Sequence, residues 1–290
     1  MNIRIIVISA LLFLFTGISL AQWDDSTTVE KKHHKHFPEA IFDRPAIKLN
    51  YGPTKENLNG FINSFEKNSV AEIKVGYSGQ WESWFGKKIL KYNYSYFTLG
   101  ILSPDIDTRK RSKWYLQSNL TRFGFGKEEG YPIKVSIFGI LPYTSSQIMW
   151  SYLDQKDYPD SSYLSDINLL SLYDKSYRFG STFNCGISAQ FTKLLSAQIE
   201  YERANIYRRH LFFMNSVSGL IEAAGNEIID SFVGAVLRRE PIAGSIVNFI
   251  FKGLYGYGMS QIRSGQMNWP FGGEPCLNYF MAKIGIGFTF

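Results

Sequence analysis

The chain has 290 residues, a formal charge of +6 and a mean hydropathy of −0.13, with 23 Phe, 18 Tyr and 25 Gly. Two cysteines exclude a disulfide framework or a cysteine metal cluster, and one mild positive charge gives no ground for a nucleic-acid partner in a chain that opens on an export signal. Abundant aromatics and glycines with a neutral average suit β structure in which one residue face is apolar and the other polar.

Asn2 and Arg4 precede an apolar run from Ile5 to Phe15, and Gly17-Ile18-Ser19-Leu20-Ala21 ends in small residues, so residues 1–21 read as a signal peptide cleaved before Gln22. Residues 22–45 are polar, carry Lys31-Lys32-His33-His34-Lys35-His36, and read as a flexible periplasmic tail. Lysines beside His33, His34 and His36 repel a cation and no carboxylate or Cys completes a shell, so no metal site is expected.

The barrel domain is expected over residues 46–290. Ile47, Leu49 and Tyr51 alternate with Lys48, Asn50 and Gly52 until Pro53 ends the run; Ala71, Ile73, Val75 and Tyr77 alternate with Glu72, Lys74, Gly76 and Ser78. A third strand, about 89–102, sets Tyr92, Tyr94 and Tyr96 against Lys91, Asn93 and Ser95, which suits an interfacial aromatic girdle. In a fourth, 114–125, Trp114, Leu116 and Leu120 oppose Gln117, Asn119 and Thr121, but Phe123 and Phe125 fall on the polar parity. That predicts either a bulge near Arg122 or a strand leaving the bilayer there. Ile133, Val135 and Ile137 form a fifth strand, followed by a long loop over 141–175 with a short helical turn at 164–173.

Tyr177, Phe179, Phe183, Ile187 and Phe191 oppose Arg178, Thr182, Asn184, Ser188 and Gln190; after a turn at Thr192 and Lys193, Leu195, Ala197, Ile199 and Tyr201 oppose Ser196, Gln198, Glu200 and Glu202. Helical spacing then takes over in an insertion of about 211–260, a first helix ending at Arg238-Arg239 and a second starting at Pro241. Glu222, Glu227, Asp230 and Lys252 argue against either helix spanning lipid, so the pair is expected to cap one mouth of the barrel.

In the last eleven residues Phe280, Ala282, Ile284, Ile286, Phe288 and Phe290 share one parity, and the strand ends on the final Phe. This tail resembles the C-terminal signature of bacterial outer-membrane β-barrels. The resemblance implies an outer-membrane location, contact with outer-membrane lipid and lipopolysaccharide, and insertion by the barrel-assembly machinery through the closing strand. The fold class is thus an all-β antiparallel transmembrane barrel of eight strands with a two-helix insertion, or ten strands if residues 141–175 hide a further hairpin. Its connections alternate long and short, with the short ones on the periplasmic side.

The inward parity supplies Glu72, Lys74, Lys91, Lys134, Arg178, Glu200, Glu202 and Lys283 as lumen residues, expected to pair across an eight-stranded interior rather than line a channel. Arg109, Lys110, Arg111 and Lys113 fall in an outer connection, where they would meet anionic lipid phosphates. Cys185, on the outward face, and Cys276, in a loop, are expected to stay unpaired. His210 is the sole histidine outside the tail and the weak candidate for a catalytic residue. With no cofactor expected, the leading function is a non-enzymatic anchor, binding protein or narrow solute passage, and the alternative is a lipid-modifying enzyme, an acyl hydrolase or transferase, using His210.

Overall fold

A computed structural model describes residues 41–62, 65–83, 86–106, 116–135, 138–157, 163–209 and 211–290. Its strands are β1 (Ile41–Leu58), β2 (Asn68–Ser83), β3 (Gly86–Ser103), β4 (Gln117–Gly130), β5 (Ile133–Val135), β6 (Phe138–Asp157), β7 (Tyr177–Gln190), β8 (Leu195–Ile206) and β9 (Leu277–Thr289). Eight of them pair antiparallel in the order β4-β3-β2-β1-β9-β8-β7-β6, and β6 returns to β4. The result is a closed eight-stranded barrel with no free edge. Closure at β1 and β9 sets Leu49 opposite Ile286 and Ile47 opposite Phe288, and Phe290 donates its backbone N–H to Pro45 O at 2.9 Å. The alternation at the chain terminus therefore belongs to the strand that seals the sheet.

The fifth stave is the main difference from the expected layout. Ile133–Val135 forms only a short ladder with β6, and the wall itself is made by Phe138–Asp157, most of it in the segment expected to be loop from residue 141 on. Pro142 is accommodated there because it falls between the two partners along that edge: β4 pairing ends at Tyr143 and β5 pairing begins at Ile140. The count stays at eight because one expected strand becomes a turn and one expected loop becomes a strand. β1 begins at Ile41, within the expected tail, and runs on through Pro53.

β4 has no bulge at Arg122 and does not leave the wall; it pairs with β3 without interruption from Leu120 to Gly130. Its parity is the reverse of the expected one. Leu120, Arg122 and Glu128 are buried inside, whereas Thr121 and Phe125 are exposed outside and Phe123 stacks on Trp150 of β6 across the outer surface at 5.6 Å.

Short turns join β2 to β3 and β7 to β8 at the rim that also holds Phe290, and longer connections occupy the opposite rim. One of these carries helix α1 (Leu164–Ser171). Another carries α2 (Phe212–Arg239) and α3 (Pro241–Gly265), which have Arg238 and Arg239 in the last turn of α2 and Pro241 at the start of α3. The helical pair does not cap a mouth. It lies against the outer wall: Gly256 of α3 sits so close to the Phe183 ring that a Cβ there would come within 2.1 Å of it, and Asn205 of β8 donates to Ser260 O at 3.1 Å. At the short-turn rim, Val233 and Leu237 of α2 pack with Ile89 and Tyr131.

Candidate functional site

Inside the barrel the residues sort into tiers by height. The central tier is charged. Glu72 (β2), Glu200 and Glu202 (β8) converge with Lys74 (β2), Arg122 (β4) and Lys283 (β9), all six side chains wholly shielded from solvent. Lys74 donates to Glu200 at 2.9 Å; Lys283 reaches Glu72 at 2.9 Å and Glu200 at 2.6 Å and also pairs with Glu202. The Arg122 guanidinium forks between Glu72 and Glu202, a planar, multi-donor geometry that an ammonium cannot reproduce. Neutral groups satisfy remaining lone pairs: Tyr143 donates to Glu200 at 2.9 Å, Asn184 to Glu200 at 3.2 Å and Asn50 to Glu72 at 3.1 Å. Three carboxylates this close have the spacing to hold a metal ion, but three protein cations already neutralise them, so the donor set does not fit a resident metal.

Toward the short-turn rim lies an aromatic cage. Lys48 pairs with Glu128 and stands 4.9 Å from the Tyr94 ring centroid, 5.1 Å from Tyr143 and 5.8 Å from Tyr92, while Lys74 lies 4.9 Å from Tyr96. Desolvated ammonium–ring contacts of this kind are worth roughly 1–2 kcal/mol each. Space for the rings comes from glycines paired with them on the neighbouring strand: a Cβ on Gly126 would meet the Tyr96 hydroxyl at 2.5 Å, and one on Gly186 the Tyr143 hydroxyl at 2.7 Å. These tyrosines therefore fill the interior and form no part of an outer girdle. On the outer wall the aromatic cluster is Phe123, Trp150, Tyr177 and Phe179, with neighbouring ring centroids 5.6–6.1 Å apart.

Toward the long-loop rim the interior turns apolar. Leu58, Val70, Leu102, Leu120, Met149, Leu153, Ala204, Ile206, Leu277 and Met281 form one buried cluster with Leu170 of α1, and Phe61, Phe65 and Leu169 pack against it. Asp166 of α1 accepts the Ile62 backbone N–H at 3.1 Å, which fixes the loop helix over this mouth. At the boundary between charge and hydrocarbon, Glu56 accepts hydrogen bonds from Asn68 and from Ser118 at 3.1 Å.

Of the lumen residues expected from sequence, the barrel brings together Glu72, Lys74, Glu200, Glu202 and Lys283 and leaves three outside the cluster. Lys91 has the outward parity and pairs with Glu129 at 2.9 Å; Lys134 is exposed on β5; Arg178 stays at the rim, donating to Arg208 O at 2.9 Å. Arg122, Lys48, Glu128 and the four tyrosines are site residues not anticipated, although stepping back by twos from Glu128 along β4 leads to Arg122. His210 and the run Arg109, Lys110, Arg111 and Lys113 lie outside the described residues. Cys185 and Cys276 are both free thiols; burial pushes the Cys276 thiol upward in pKa, and it donates to Arg263 O at 3.2 Å. At the long-loop rim Arg209 binds Glu274, and that hydrogen bond holds the carboxyl below the usual carboxylate range.

No family model and no curated protein matches the chain. Among solved structures it is similar to Neisserial surface protein A (NspA), at 8% identity over 85% of this chain and 97% of that one with a TM-score of 0.41. It is also similar to Ail, the attachment invasion locus protein of Yersinia pestis, at 6% identity over 86% and 99% with a TM-score of 0.34.

Proposed function

We propose that this barrel is a closed, non-conducting membrane anchor of the outer membrane that offers its long-loop rim for binding. The observation that carries the reading is the inversion of polarity across the wall. Leu49, Val75, Leu99, Ile101, Ile199, Ile284 and Ile286 are exposed on the outside, while Glu72, Lys74, Arg122, Glu202 and Lys283 are buried within. A barrel in water reverses this arrangement; hydrocarbon around the wall makes it stable.

Closure favours an anchor over a solute passage. An ion entering from the short-turn side meets neutralised charges locked in mutual pairs, and behind them an apolar layer sealed by α1. The test is conductance in planar bilayers. The purified barrel should give no stable channel steps, and reproducible single-channel openings would establish the passage instead.

Residues 1–21 supply the export signal in this reading, and β9 is the segment the assembly machinery would grip. The basic run Arg109, Lys110, Arg111 and Lys113 would hold lipopolysaccharide phosphates; reversing all four charges should strip lipopolysaccharide from the purified protein, and undiminished co-purification would remove that role. The lipid-modifying alternative rests on His210 alone. An altered lipid A or phospholipid profile in wild-type cells that disappears in His210→Ala would favour it.

A further inference from the structure

Helices α2 and α3 distribute their residues in the reverse of a water-soluble amphipathic pair. On α3 the side against the barrel carries Ser245, Asn248, Lys252, Ser260 and Arg263, each less than a tenth exposed, whereas Ile242, Ile246, Ile250 and Leu254 face away, Leu254 at 65%. On α2 Ser218 is buried, and Phe213, Leu220, Ile228 and Phe232 face away, Phe213 at 79%. The charges point inward and pair there: Lys252 with Asp230 at 2.7 Å, and Arg263 with Glu222, beside a 3.1 Å hydrogen bond from Arg263 to Ser218. Glu227 is the one charged side chain among the exposed positions from Leu211 to Leu237.

The hairpin is also held outside the wall at both rims. Asn205 binds Ser260, and Cys276 binds Arg263 O, near the long loops; Val233 and Leu237 pack on Ile89 and Tyr131 beside the short turns. A segment pinned in this way crosses whatever surrounds the wall between the rims. At 1.5 Å per residue, α2 and α3 are roughly 42 and 37 Å long, and the hydrocarbon layer is about 30 Å thick.

We infer that α2 and α3 cross the outer membrane beside the barrel as a lipid-facing helical hairpin, its outward face covered by acyl chains. The inference rests on the reading of the barrel as membrane-spanning. Counted without regard to the direction of its side chains, no described helix is long and apolar enough to cross a membrane. That count, like the sequence argument against a span, includes Glu222, Asp230 and Lys252, which face the seam and pair there, and leaves Glu227 as the one carboxylate on the exposed face. Over β7 and β8 the hairpin substitutes for lipid: Arg203, an outward residue of β8 only 1% exposed, lies between the Tyr257 ring of α3 at 5.1 Å and the Phe280 ring at 4.8 Å.

Site-directed spin labels distinguish the outcomes. In a Cys185→Ser background that keeps the buried Cys276, single labels go on the hairpin (Ile228→Cys, Ile250→Cys, Leu254→Cys), on the bare wall (Ile199→Cys, Ile284→Cys) and on the turn (Glu240→Cys), all exposed positions where a label leaves packing intact. In liposomes, hairpin labels should collide with dissolved oxygen in preference to a water-soluble nickel complex as strongly as wall labels do, and the Glu240→Cys label should prefer nickel. Wall labels in lipid with hairpin labels in water would overturn the inference and leave the anchor reading standing. All labels in water would overturn the membrane reading itself.

Discussion

The central tier of the barrel interior and the tier toward the long loops solve the same problem with opposite chemistry. Around Glu72, Arg122 and Glu202 the lumen is filled by charges that exclude ions because each is already paired; around Leu102, Met149 and Leu277 it is filled by hydrocarbon that excludes them because it solvates none. The charged tier needs all its members, since one missing partner strands a charge in low dielectric. The apolar tier degrades gradually, since a lost methylene leaves a cavity that its neighbours partly close. Closure is thus brittle at one height and tolerant at the other.

The sharpest break is Arg122→Met. It leaves Glu72, Glu200 and Glu202 to share the two ammonium groups of Lys74 and Lys283, one negative charge uncompensated, and should cost about 3–5 kcal/mol in guanidinium unfolding from lipid vesicles. Adding Glu202→Gln restores the charge balance and should recover part of that loss. A single variant within about 1 kcal/mol of wild type would mean the network contributes no brittleness, and the contrast between tiers would fail.

Leu102→Ala probes the other tier. Leu102 has no exposed surface and sits where β2, β3 and β4 meet the loop helix, so truncation should cost about 2–4 kcal/mol. The variant should remain electrically silent, because the charged tier beneath it is untouched. Channel openings in Leu102→Ala would show that the apolar tier alone seals the barrel.

The tiers also explain which parts of the molecule could be read from sequence. Period-2 patterning is clear where one face is apolar and the other charged, as in β1, β8 and β9, which carry the inward-facing Lys48, Glu200, Glu202 and Lys283. It fades where the interior is apolar as well. Leu120 of β4, and Met149 and Leu153 of β6, point into the apolar tier while Phe123, Ile148 and Trp150 point outward, so both faces look hydrophobic and the register is illegible. Tyr92, Tyr94 and Tyr96 misled for a related reason: strand-borne tyrosines suit an interface, and only the positions of Lys48, Lys74 and the lumen glycines show that three-dimensional partners draw these rings inside. The two helices were misread because Glu222, Asp230 and Lys252 count as exposed charges until the seam that pairs them is seen.

A salt bridge at the wet rim extends the comparison to the same chemistry without burial. Arg209 and Glu274 make paired contacts like those of Arg122, but both are open to solvent, so screening and side-chain entropy leave little net stability. Glu274→Gln should therefore leave the unfolding midpoint unchanged while loosening the connector before β9 locally. Because the Arg209 hydrogen bond lowers the Glu274 pKa, the pair contributes above the ordinary carboxylate range and is lost as pH falls through the depressed value. Amide-exchange protection over residues 267–276 should accordingly drop in acid for wild type and be low at neutral pH in Glu274→Gln. A global loss of stability from this substitution, comparable with Arg122→Met, would mean that pairing rather than burial makes the central tier brittle.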